Sequence, residues 1–310
     1  MILGIDTSNY TTSAALCRDG RIIADRRKPL EVKKGARGLR QSEAFFQHVN
    51  NLPELLQGIS FSSLRAVCVS DGPRKLPGSY MPCFRAGEDA AKIIADGMGI
   101  PLYRVSHQMG HIRAALTGYS GEMPERFLSV HLSGGTTELL STVRRGADID
   151  TEIIAGTSDI SAGQFIDRTG VALGMAFPAG AEMDGIFDRE KAISLPVSVR
   201  EGCPSFSGVD TMLSRLISSG ADPVAVCSGA FVCVARSIAS MILYGAGLTG
   251  LDTVLIAGGV SSGKNIRLLL KEELSGKAEL IFAPAGMGSD NACGTALLGE
   301  EMLSEEGGGK

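Results

Sequence analysis

Short apolar runs bounded by turn residues recur at 2–6, 13–17, 21–25, 65–70, 101–105, 127–132, 137–143, 152–155, 253–257 and 279–283, and each predicts a β-strand. Longer stretches of mixed three- and four-residue apolar spacing predict helices over 42–58, 84–98, 107–118, 161–174, 209–218, 223–246, 264–275 and 290–303. Strands and helices interleave, which places the chain in the α/β class. One pattern is repeated. The first strand runs into "TSNYTTSAAL" and a later one into "LSGGTTELL", so S-x-x-T-T stands at Ser8–Thr12 and again at Ser133–Thr137, 125 positions apart. Each copy reads as strand, polar turn, strand. The placement at the opening of each half predicts a duplication. It also predicts two similar lobes with a cleft between them that takes a nucleotide phosphate chain. The expected lobes are 1–125, completed by the helix at 290–303, and 126–289, with a frayed tail over 304–310.

Composition narrows the classes. A chain of 310 residues buries a large core and is expected to form two domains. Glycine is abundant, 40 of 310, against an average of about 7%. It clusters in "SGG", "AGG" and "AGMGSDN", where backbone must come close to a ligand. Apolar runs stay below the roughly 18 residues of a membrane span, and "MILGIDTSN" lacks the basic start and cleavage site of a signal peptide. No membrane partner is expected. The cysteines, seven in number, form no C-x-x-C and lie mostly in apolar runs, as in a reducing cytoplasm. A net charge of −4 argues against a general nucleic-acid binder. Residues 18–40 nevertheless hold nine basic and three acidic side chains, either a solvated hairpin and loop or a phosphate-binding patch.

The stretch "VSHQMGH" places His107 and His111 four apart, on one face of a predicted helix, a spacing that suits a metal. In a metalloprotease helix the residue after the first histidine is a glutamate acting as base. Here it is Gln108, which cannot take a proton at neutral pH, so peptide hydrolysis is disfavoured. Two helix histidines that bind nothing are the plain alternative. His131 stands just before the second turn, and Asp290 follows a glycine-rich loop and precedes a helix. Three imidazoles and a carboxylate suit zinc or iron. Asp290 as a helix cap and His131 as a strand filler are the competing readings. Asp167 and Asp184 flank the Pro178–Gly180 turn and are either ribose-binding carboxylates or helix-surface acids. "VLIAGGVSSGKNIRLLL" is a strand, a turn and a helix start without the Rossmann or P-loop glycine pattern.

The order of these motifs resembles the Kae1/TsaD/Gcp family of the actin-like ATPase (ASKHA, ribonuclease H-like) superfamily. These are tRNA threonylcarbamoyladenosine synthases, formerly labelled O-sialoglycoprotein endopeptidases. The motifs that carry the resemblance stand at Gly4–Ser8, His107–His111, Ser133–Thr137, Gly163–Asp167, Pro178–Gly180, Ser205–Gly208, Ala257–Val260 and Ser289–Asn291. The resemblance implies two actin-like lobes with ATP or threonylcarbamoyl-adenylate between them. It implies one divalent metal, iron or zinc, on His107, His111 and Asp290, with magnesium on the phosphates as a further option. His131 falls where other members carry a tyrosine ligand. Ser133, Gly134 and Gly135 match the phosphate contact, Asp167, Gly180 and Asp184 the ribose contacts, and Gly258, Gly259 and Gly263 the turn near the base. The implied reaction moves a threonylcarbamoyl group from its adenylate to the N6 amine of the tRNA adenosine beside the anticodon. The implied partners are tRNA and the ATPase and paralogue subunits of a tRNA-modifying complex.

The chain also departs from the family. The first turn of bacterial members reads S-C-D-E-T, whereas here it is Ser8-Asn9-Tyr10-Thr11-Thr12. Tyr10 and Thr11 therefore occupy the catalytic turn in place of two acids. Gly263 stands where the family has an adenine-contacting asparagine, with Asn265 two further on. The rim "GPRKLPGSYMPCFRAGEDAAK" is reshaped. A divergent bacterial paralogue fits these changes. It acts on tRNA, transfers a carbamoyl or acyl group to another acceptor, or regulates the tRNA-modifying complex without catalysis.

Overall fold

The structure, a computed structural model, describes residues 1–8, 10–32, 39–76, 78–117, 119 and 121–308. The chain forms two compact units. The first comprises Met1–Thr117, Arg144–Asp150 and Asp290–Lys310, and the second Gly118–Val143 and Thr151–Ser289.

In the first unit, strands β1 (Ile2–Asp6), β2 (Thr11–Arg18), β3 (Arg21–Pro29), β4 (Ala66–Gly72) and β5 (Leu102–Ser106) form one sheet in the order β3-β2-β1-β4-β5. β1 runs antiparallel to β2 and parallel to β4. Helices α1 (Gln41–Leu56) and α2 (Phe84–Met98) cover one face, where Leu3, Ile5, Leu52, Val67, Val69 and Ala91 share a core. Helix α3 (His107–Ala115) begins directly at the end of β5, and Ser106 caps it by accepting from Met109 N.

In the second unit, β6 (Arg126–Leu132), β7 (Thr137–Arg145), β8 (Asp148–Gly156), β11 (Thr253–Ala257) and β12 (Glu279–Phe282) take the order β12-β11-β6-β7-β8. β6 is antiparallel to β7 and parallel to β11. This is the strand order of the first sheet, with β6 in the place of β1, and the repeated S-x-x-T-T falls at the same hairpin turn in both. The remaining elements are α4 (Ala162–Ala172), α5 (Gly180–Gly185), the small hairpin β9 (Val199–Arg200) and β10 (Cys203–Pro204), α6 (Ser207–Ser218), α7 (Pro223–Thr249), α8 (Lys264–Glu273) and α9 (Cys293–Gly308).

Three expectations need adjustment. The tail is not frayed from 304, because α9 continues to Gly308. Glu305 accepts a bond from Ala147 N and Glu306 one from Tyr103 Oη, which holds the last turns in place. α7 is long and apolar enough to cross a membrane, contrary to the reading that no run reaches that length, but 78% of its most apolar window is buried inside the second unit's core. The basic stretch is partly engaged. Arg26 donates to the carbonyls of Leu55 and Gln57, Arg27 pairs with Asp25, and Lys28 pairs with Glu54. Residues 33–38 of that stretch lie outside the described residues.

Candidate functional site

The first unit brings the ends of β1, β5 and α9 together by removing side chains where they cross. A Cβ on Gly294 of α9 would lie 1.8 Å from the Gly110 carbonyl of α3, and a Cβ on Gly4 of β1 would lie 2.6 Å from Ala296 N. Only glycine permits backbone approach this close. The result places Asp290, just ahead of α9, over the Nε2 ends of both helix histidines.

His107 Nε2 and His111 Nε2 lie 3.6 and 3.3 Å from Asp290 Oδ1. The two rings stand edge to face with centroids 4.3 Å apart. Among the described residues, His107, His111 and Asp290 form a group with one ligand atom each, all within 4.8 Å of one another. The sequence reading gave Asp6 no role, although it lies inside the quoted G-I-D-T-S motif. Its Oδ2 is 2.8 Å from His107 Nδ1, and its Oδ1 accepts from Ser8 N at 2.9 Å. A carboxylate on the far nitrogen fixes the ring's tautomer and turns the other nitrogen's lone pair outward, the usual support of a metal-bound histidine. The donor set therefore fits a divalent transition metal.

Electrostatics point the same way. Burial alone would raise the Asp6 carboxyl, but the adjacent His107 and bonds from Ser70 and Ser8 outweigh it and hold the pKa low. Burial would lower His107, and the charges of Asp6 and Asp290 reverse this and hold it high. Asp290 is likewise held well below the usual carboxylate range, because bonds from both histidines outweigh its burial. Two carboxylates, Asp6 buried and Asp290 partly exposed, thus flank His107 and favour a positive charge between them.

The turn between β1 and β2 adjoins this group through Asp6, which accepts from Ser8 N. Thr11 N donates to Ser8 O, and Leu30 N donates to Tyr10 O at 2.8 Å. Tyr10 is 40% exposed and Thr11 half-buried, while Asn9 lies outside the described residues. His131 is not in the metal group. It sits on β6 of the second unit, in register with Glu138 and Ala257.

The second unit holds the residues expected at a nucleotide. In the turn between β6 and β7, Ser133 N donates to Thr136 O and Ser133 Oγ accepts from Thr136 N. Ser161, the cap of α4, donates to Gly134 O at 2.8 Å. A Cβ on Gly163 would strike Ser133 O at 2.4 Å, so α4 braces the turn from behind. Gly134 and Gly135 are exposed, with open space where a side chain would be. An exposed glycine turn braced in this way leaves room for an anion to approach its backbone. Gly258 has φ +107, and a Cβ there would meet Leu132 O at 2.3 Å, so β11 turns tightly against β6. Gly259 is open.

The two aspartates are not a facing pair of free carboxylates. Asp167 Oδ1 accepts from Ala179 N at 2.8 Å, next to Gly180. Asp184 accepts from Lys264 N and Asn265 N at 3.0 Å each, capping α8, and Asn265 Nδ2 donates back to Asp184 O. A side chain at Gly263 would touch Asp184 Oδ1 at 3.4 Å. At the rim, Lys75 pairs with Asp148 and Asp150.

A duplicated mixed sheet with helices on its faces and the same S-x-x-T-T turn at each first hairpin defines the class, an actin-like ATPase fold. The chain shares it with component A of (R)-2-hydroxyglutaryl-CoA dehydratase from Acidaminococcus fermentans, with a TM-score of 0.59 at 17% identity over 98% of each chain. It also shares it with full-length HypF in its phosphate- and nucleotide-bound form, with a TM-score of 0.62 at 12% identity over 97% of this chain and 46% of that one. A tRNA N6-adenosine threonylcarbamoyltransferase of Thermus thermophilus is 31% identical over 307 residues, 96% of this chain and 91% of its own. The family model described as TsaD, tRNA N6-adenosine threonylcarbamoyltransferase, matches residues 39–296, and the chain belongs to that family.

Proposed function

We propose that this chain is a metal-dependent transferase that moves a threonylcarbamoyl group from its adenylate to the N6 amine of the tRNA adenosine beside the anticodon. The observation that carries this reading is the His107–His111–Asp290 group backed by Asp6, in a chain of the TsaD family. In the reaction the amine attacks the carbamoyl carbon, a nitrogen–carbon bond forms, the bond to AMP breaks, and the amine gives up one proton.

His107, His111 and Asp290 would hold an iron or zinc ion. The bound ion would supply Lewis-acid polarisation of a donor oxygen. The turn of Ser133, Gly134 and Gly135 binds the adenylate phosphate through backbone N–H groups. Asp167, Gly180 and Asp184 bind the ribose. Each aspartate oxygen that accepts one amide still has a lone pair for a hydroxyl. Gly258, Gly259 and Gly263 let the base lie against backbone. Tyr10 and Thr11 orient the acceptor with hydroxyls where acids are missing. The setting is the cytoplasm, with tRNA as substrate and the other subunits of a tRNA-modifying complex as partners.

A second reading keeps the donor and the metal but changes the acceptor, and the acid-free turn at Tyr10–Thr11 favours it. Such a chain transfers to another amine or regulates the complex. Purified protein tests both: metal analysis of wild type and His107→Ala, then transfer from threonylcarbamoyl-adenylate to unmodified tRNA. The proposal expects one bound ion, lost in His107→Ala, and modified tRNA only with the wild type. An occupied His107→Ala site would overturn the ligand assignment, and metal-loaded wild type that leaves tRNA unmodified would overturn the acceptor.

A further inference from the structure

The turn between β1 and β2 is held from behind by a buried polar cluster that the metal group does not use. His48 of α1 is fully buried, and its Nδ1 lies 2.8 Å from Thr12 Oγ1. Asn51, one helical turn on, donates to the same Oγ1 at 3.1 Å. Thr12 Oγ1 accepts from Asn51 and shares one proton with His48 Nδ1, whichever of the two donates it. Among the described residues His48 Nε2 is buried without a partner, as is Ser8 Oγ at the start of the same turn. A buried polar atom without a partner opposes folding, and an apolar side chain at position 48 would avoid it. The histidine is therefore not explained by stability.

Its effect falls on the turn between β1 and β2. Thr12 directly follows Tyr10 and Thr11 at the start of β2. The other end of the turn is tied by Ser8 N to Asp6, the residue that orients His107. The turn thus hangs between two buried anchors, Asp6 on the metal side and Thr12 on the α1 side. We infer that His48, with Asn51, is a positioning residue for the transfer reaction: it fixes Thr12 and through it the place of Tyr10 and Thr11 against the acceptor. This rests on the proposed function, since it assigns the turn to acceptor positioning.

The test compares His48→Leu with His48→Asn in metal-loaded protein. Asparagine keeps a hydrogen-bonding group near the Nδ1 position and leucine does not. Hydrogen exchange of the amides of residues 10–12 should quicken at least about tenfold in His48→Leu and stay near wild type in His48→Asn. The kcat for transfer from threonylcarbamoyl-adenylate to tRNA should fall by roughly 10- to 100-fold in His48→Leu and recover in His48→Asn. KM for the adenylate and metal content should stay unchanged. If His48→Leu does not fold, Asn51→Ala takes its place with the same expectations. Unchanged exchange and kcat in the leucine variant, or equal loss in both variants, would overturn the assignment. A wild-type chain that transfers nothing would instead overturn the proposed function, and the exchange comparison would then decide the role of His48 alone.

Discussion

Replacing Asp6 by asparagine separates a metal-supporting carboxylate from a merely buried one. Asp6 serves two donors at once, Ser8 N at Oδ1 and His107 at Oδ2, at 2.9 and 2.8 Å. Asparagine has a single acceptor oxygen. If that oxygen stays with Ser8, the amide NH2 faces His107 Nδ1, which must then accept, and the ring proton moves to Nε2. Nε2 cannot ligate a metal while protonated. If the amide is reversed, Ser8 N faces NH2 and the turn between β1 and β2 loses its anchor. Loss of such a supporting partner typically costs about 10- to 100-fold in metal affinity, or about 1.4–2.7 kcal/mol. Competition between metal-free protein and a chromophoric zinc chelator measures this directly, with circular dichroism confirming the fold. The account predicts a Kd for zinc raised by that factor in Asp6→Asn. Wild-type affinity in a folded variant would refute the tautomer argument and leave Asp6 as a buried acid that only serves the turn.

Three further outcomes are expected. Gly294→Ala places a methyl 1.8 Å from the Gly110 carbonyl, so α3 and α9 must separate; urea unfolding should show a loss of about 1–3 kcal/mol, and zinc affinity should fall with it. Burial depresses His48 to about 4 from an ordinary 6.5, so the unfolded chain binds the extra proton first as pH falls. The stability held by the neutral ring is complete above pH 6.5 and is lost as pH falls toward 4, by at most about 3 kcal/mol; urea melts across that range should show a shallower slope for His48→Asn than for wild type. Asp184→Ala should weaken ATP binding in calorimetry and remove the cap on Lys264 N and Asn265 N, worth about 1 kcal/mol. Retained ATP affinity would take Asp184 out of the ribose site and leave it as a cap.

Among the described residues, the ten main strands were legible because each is a short apolar run between turn residues, and the eight long helices because their apolar stripes recur at helical spacing. The helix α5 and the hairpin β9–β10, with six residues and two residues per strand, are too short to show a period. Local motif spacing put His107 and His111 on one helix face, and Asp290, added by the family resemblance, lies against both in the fold. Spacing could not reveal Asp6 as the partner of His107, 101 positions away, or His48 as the partner of Thr12, 36 positions away, because packing alone creates those contacts. Asp184 hid its helix contact for the same reason. As a sequence it is an acid near a glycine turn, and in the fold it caps a helix about 80 positions downstream. The basic stretch 18–40 reads either as a solvated hairpin and loop or as a phosphate-binding patch, and in the fold Arg26 and Lys28 spend their donors on α1 and its C-terminal turn.

The central claim is that this chain, through its His107–His111–Asp290 group, places the threonylcarbamoyl group on tRNA. Nucleoside mass spectrometry of total tRNA from cells depleted of this protein alone tests it most directly. The account predicts a fall in threonylcarbamoyladenosine that wild type restores and His107→Ala does not. An unchanged level after depletion would contradict it, since another chain would then make the modification and the acceptor of this one would lie elsewhere.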